Sequence, residues 1–223
     1  MAWYWHEVIL PCAGRGLLAI GFGTAIVSSM LTPLEALLDL TLALHMIVEH
    51  LLIIVAGFLV AYGASCLVFA GSRLSPLILR TRATLLKLNS ALNKRGIAAF
   101  AMAAVMIAYW QIPPNFDNGV LNGSAHLAMH FTFFIVGGLI FAGSTMLARR
   151  TRQIAPIVAG KMLGSFGVFL LITQSNLYSV YPLSDQSETG LVLVVMMLLM
   201  DFTLVPLWLY NYFGKSSSTH LFT

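Results

Sequence analysis

The chain has 223 residues, 59% of them apolar and only 9% charged, with twelve Lys and Arg against eight Asp and Glu for a formal charge of +4. Soluble domains carry about a quarter charged residues, so a soluble enzyme, a disordered chain and, with two cysteines at 12 and 66, a disulfide scaffold are excluded. A mean hydropathy of +0.88 belongs to a chain whose main solvent is lipid, read here as one membrane domain over residues 1–223.

From the amino terminus, residues 1–10 lack a basic n-region and carry His6 and Glu7, so they do not read as a secretory signal. The first apolar run is 16–31. Thr32-Pro33-Leu34-Glu35 has the capping-box pattern with Pro at the first helical position, ahead of a second run, 40–71, that is too long for one perpendicular crossing. Residues 72–95 mix leucines with six basic residues, which suits either an interfacial helix on anionic lipid or a solvated connector. Four more runs follow at 96–112, 125–148, 154–173 and 189–213. A crossing needs roughly 20 residues, so the pattern predicts an all-α bundle of six transmembrane helices.

With both termini cytoplasmic, the segments assigned to the inner side hold all twelve basic residues, Arg149, Arg150, Arg152 and Lys161 among them. Glu35, Asp39, Asp117, Asp185 and Glu188 fall in the outer loops. That partition satisfies the positive-inside rule and predicts a multi-pass protein of the cell membrane. The basic excess therefore speaks to topology rather than to a nucleic-acid partner. Tyr109 and Trp110 at the outer end of the third run, and Trp208, Tyr210 and Tyr212 at the inner end of the sixth, suit interfacial belts.

Four of the six histidines form two clusters at one depth. Counting about 20 residues outward from Arg73 and from Arg149 reaches the outer boundary of the second and fourth helices, where His45, Glu49 and His50, and His126 and His130, are found. His126 and His130 are four apart and share a helix face. His45 and His50 are five apart, about 140° around a regular α-helix. Either His45 pairs with Glu49 or Met46 with His50, unless a π-bulge brings both histidines to one side. Imidazoles with a carboxylate or thioether suit copper, zinc or iron; Met46 and Met129 and the extracytoplasmic location favour copper. A bis-histidine haem b fits less well, because one haem would leave two histidines unused. The plainer alternative is that these are polar groups snorkelling at the interface. His6 and His220 read as surface residues of the tails.

Asp201, deep in the sixth helix, should be protonated or paired with a neighbouring helix; a structural interhelical hydrogen bond is favoured over a proton relay. Gly160, Gly164 and Gly167 form a small-residue stripe for close helix packing. Cys12 and Cys66 map away from the histidines. No G-x-G-x-x-G, P-loop, G-x-S-x-G or H-E-x-x-H motif occurs.

The stretch from His45-Met46 through Glu49-His50 to Val55-Ala56-Gly57 resembles the first histidine motif of the CtaG family, membrane assembly factors of caa3-type cytochrome c oxidase. Its second histidine stands one residue later than in the family pattern, with Glu49 in that place. Ala125-His126-Leu127-Ala128-Met129-His130-Phe131 is similar to the family's second histidine helix. Asp185-Gln186, followed by Gly190-Leu191, is similar to its third signature. As a divergent relative, the chain is thereby implied to act in maturing the copper-containing part of a haem-copper oxidase, with oxidase subunits and membrane lipid as partners and no catalysis of its own. His45, Glu49, His50, His126 and His130 are the candidate metal ligands. Met46 and Met129 are accessories, and Asp185 could cap the site from a loop. The competing readings are an integral subunit of a membrane metalloenzyme, an oxidase or a monooxygenase, and a structural subunit without metal.

Overall fold

The computed structural model describes residues 12–29, 40–70, 87, 96–147 and 149–213. The described residues are helical, without strands, a form that suits apolar segments because each helix satisfies its own backbone N–H and C=O groups. The helices are α1 (Cys12–Ser29), a π-helical turn (Leu44–Glu49) running into α2 (His50–Ala70), α3 (Ile97–Gln111), α4 (Pro113–Leu121), α5 (Gly123–Met146), α6 (Arg149–Ile172) and α7 (Leu183–Phe213).

Six of these correspond to the six predicted runs. Among the described residues, three segments, Leu44–Cys66, Gly123–Met146 and Leu183–Leu207, are long and apolar enough to cross a membrane; a fourth is reached if α3 and α4, bent by 74°, count as one. The apolar parts of α1 and α6, Arg15–Val27 and Ile157–Ile172, are shorter. The capping box at 32–35 and nearly all of the basic connector lie outside the described residues.

Two glycines fix the centre of the body. A Cβ on Gly57 would fall on the Phe134 carbonyl, and one on Gly137 on the Ile54 carbonyl. α2 and α5 therefore cross with backbones in direct contact, the close approach that only glycine permits, and they run in the same direction. α1 lies antiparallel on α2 and α3 antiparallel on α5, the latter entered through Gly96 with φ +77° against Gly143. α6 and α7 pack principally on each other through Gly160, Gly164 and Gly167 against Met200, Met197 and Gly190, as the small-residue stripe predicts. This hairpin meets the body in one cluster, where Leu170 of α6, Leu193 of α7 and the loop residues Tyr178 and Tyr181 bury Leu42 and Phe116.

Three expectations are corrected. Residues 113–121 form α4 rather than an outer loop, with Pro113 and Pro114 in its first turn, where their missing N–H groups cost nothing. Trp110 is buried against Ile53, Met129 and Phe133 rather than set in an interfacial belt. Lys161 lies inside α6, not in an inner connecting segment, because it neutralises Asp201 of α7 in a direct ion pair. That pair is the interhelical partner expected for Asp201.

Candidate metal centre

His50 and His130 each stand seven residues before the glycine at the crossing, about 10 Å along parallel helices. The contact between backbones thus sets the two histidine pairs side by side at one end of the body. All four are buried, with exposures of 0% for His45, 3% for His50, and 8% for both His126 and His130.

Within α2's entry the α-helix rule fails. His50 N–H bonds to the His45 carbonyl, five residues back, closing a π turn. Residues five apart then stack, and the His45 and His50 rings lie edge to face with centroids 4.7 Å apart. On α5 the ordinary helical spacing suffices, and the His126 and His130 centroids are 4.2 Å apart. His45 joins the two helices, its ring 5.7 Å from that of His126. The π-bulge reading therefore describes how both helix-two histidines enter one cluster. Glu49 belongs to the π turn, but its side chain lies outside the described residues.

Apolar groups enclose the rings. Phe116, fully buried, is set by α4 beside His45 and His50, at 5.3 and 6.4 Å. Phe133 lies one turn along α5 with its ring 4.2 Å from that of His50. Tyr181 flanks His45 at 6.3 Å. Met129 is fully buried below, in contact with Trp110 and Phe133, and Met46 packs at the edge of the cluster around Leu42.

His126 Nδ1 lies 3.0 Å from the Gly119 carbonyl oxygen. A carbonyl only accepts, so Nδ1 carries the proton and Nε2 is the basic nitrogen, the state of a metal-ligating imidazole. Gly119 sits in the last turn of α4, where carbonyls lack intrahelical partners, so the histidine and the helix end satisfy each other.

Chemically the set suits a borderline metal: four buried imidazoles from two helices, with thioethers nearby. Among the described residues no three His, Cys, Asp or Glu side chains have their donors already gathered about one ion position. The four rings pack against one another instead.

Asp185 departs from expectation. It lies in the first turn of α7, not in a loop, and its Oδ2 accepts the Leu42 N–H at 2.8 Å. Gln186 is buried beside it, accepting from Leu177 N–H and donating to the Tyr178 and Tyr181 carbonyls. Asp117 accepts from the Ser179 N–H and hydroxyl. Tyr178 donates to the Gln111 carbonyl. Burial, and then the Asp117 carboxylate, raise the Tyr178 phenol well above its usual range.

Phe116, Gly119, Phe133 and Tyr181 were not singled out by the sequence. Pro113-Pro114 is a helix-start signal that could have revealed α4 and, with it, Phe116. Cys66 is buried in its reduced form, far along α2 from the histidines. A family model described as cytochrome c oxidase caa3 assembly factor (Caa3_CtaG) matches residues 5–213. No curated protein and no solved structure matches the chain.

Proposed function

Because this chain belongs to the Caa3_CtaG family of cytochrome c oxidase caa3 assembly factors, we propose that it holds copper as cargo at its histidine end and serves to metallate a haem-copper oxidase. The family implies a role in oxidase assembly; the copper, the ligand set and the topology are our reading. Six spans with both termini cytoplasmic put the histidine end at the extracytoplasmic face, in keeping with the positive-inside rule.

The observation that carries this reading is the burial of four imidazoles from α2 and α5 in one apolar enclosure. Buried polar groups at the edge of a lipid phase are costly and mark function. His126 and His130 form the central pair, with His126 held by Gly119 so that Nε2 faces away from its carbonyl partner. His45 and His50 bring the second helix to the same place, and Glu49 is the carboxylate nearest in sequence. Phe116 and Phe133 exclude water, which favours a soft ion on neutral nitrogen donors over a hydrated one. The chain carries out no bond-making reaction of its own, and its partners are the membrane subunits of the oxidase and the surrounding lipid.

Deletion of the gene, complemented by the wild type or by His126→Ala/His130→Ala, tests this role. The expected result is an oxidase low in copper and activity with the variant, although the variant is present in the membrane at wild-type amounts. Full rescue by the variant would remove the proposal.

A further inference from the structure

We propose that Asp185 is a positioning residue: by accepting the Leu42 amide, it sets the register of the helix that carries His45 and His50. The inference rests on the reading of those histidines as a binding site, but its geometry stands apart from any metal.

Leu42 begins the helical stretch that leads into the π turn, so its N–H is one of the donors a helix start leaves without an intrahelical partner. Asp185 supplies the acceptor from 143 residues away, a cap given in trans by another helix. Leu42 itself is fully buried, so both its amide and its side chain are held. The second anchor is Gly57, locked against the Phe134 backbone. Between two fixed points, a helix of given length accepts only so many residues in α register. One residue too many is absorbed by a π turn, and here that turn spans Leu44–Glu49.

Asp185 is in turn well seated. The buried Thr189 hydroxyl donates to its carbonyl, and Gln186 binds the loop that runs into α7. Thr41 caps the Leu44 N–H but leaves the Leu42 amide to Asp185; without that bond the helix start can shift by a residue and the segment relaxes to α register. His45 and His50 then separate to about 140° around the helix, and His45 leaves the cluster. An Asp185 carboxylate engaged by Leu42 is thus a brace for the site rather than a ligand in it.

The test compares Asp185→Ala with Asp185→Asn in the full-length chain in detergent, by hydrogen exchange of peptides covering residues 40–50. Asn keeps an acceptor at the same place; Ala removes it. Exchange is expected to rise about five- to tenfold in the Ala variant, the range a lost helix cap gives. It should stay near wild type in the Asn variant, and peptides of α5 should be unchanged in both. Wild-type exchange in Asp185→Ala, or equal acceleration in Asp185→Asn, overturns the assignment. Should Asp185→Ala fail to fold, Asp185→Ser, too short to reach Leu42, takes its place with the same expectation. Copper titration of the same proteins forms a second arm, in which Ala weakens binding and Asn does not. Weakening by Asn equal to that by Ala would make Asp185 a ligand instead. A wild type that binds no copper would remove the copper reading and leave the exchange result to decide the register.

Discussion

The α2–α5 pair and the α6–α7 hairpin use the same packing device and differ in what they do with it. Both are joined through glycines that let backbones approach. In α2–α5 the helices run parallel, so the crossing at Gly57 and Gly137 puts the corresponding ends of both helices together, and those ends carry buried histidines. In α6–α7 the helices run antiparallel. The polar groups that meet include Lys161 and Asp201, which neutralise each other, the lysine about half exposed and the aspartate mostly covered. Close packing is therefore scaffold in both places. Only where it gathers several like polar side chains into a dry enclosure does it leave a candidate site.

The sharpest way to break this comparison is at neighbouring glycines. Gly137→Ala sets a methyl against the Ile54 carbonyl, a backbone obstacle, whereas Gly138→Ala meets nothing within 4 Å. The first should cost about 1–3 kcal/mol or more, as overpacking does, and should lower copper loading with it, since the histidine pairs are forced apart. Gly138→Ala should be neutral or slightly stabilising. Thermal unfolding in detergent, with metal content of the folded fraction, reads both; equal effects at the two positions would contradict the crossing as drawn.

In the hairpin, Lys161→Ala leaves the Asp201 carboxylate without its partner. Breaking the pair should destabilise the hairpin by more than loss of a water-exposed ion pair would, and adding Asp201→Ala should recover part of the loss. Copper loading should not change in either variant. A double-mutant cycle measures the coupling, and a fall in loading would tie the hairpin to the site more directly than its packing suggests.

The smallest expected effect lies at the loop joining hairpin and body. Tyr178 stays neutral in the fold well above the pH at which a free phenol ionises. Above about pH 10 the unfolded chain therefore binds fewer protons than the folded one, and stability falls as pH rises. Melting followed from pH 8 to 11 should show a steeper alkaline decline in wild type than in Tyr178→Phe, although the Phe variant starts lower through loss of the bond to the Gln111 carbonyl.

Much of the helical layout was legible because lipid imposes long apolar runs, and all six such runs became helices. What escaped were segments whose polarity hid them. α4 contains Asn115, Asp117 and Asn118 and reads as a loop by hydropathy, although its prolines mark a helix start. α7 begins six residues before the apolar run at 189, because Ser184, Asp185, Gln186 and Glu188 mask its first turns. The histidines were legible as a set, by depth. Their mutual arrangement was not fixed by α periodicity, since His45 and His50 meet only through a π turn. The proposed register ties that turn to contacts made by Asp185 and Phe134 far along the chain.

The central claim is that α2 and α5 together grip one copper ion. Copper content of the purified chain, measured by mass spectrometry after loading and desalting, tests it most directly when wild type is compared with His45→Ala/His50→Ala and with His126→Ala/His130→Ala. The account predicts about one copper per chain in wild type and near loss in each double variant, because each removes one helix's share of the site. Copper retained at the wild-type level in both variants, or absent from the wild type, would contradict it.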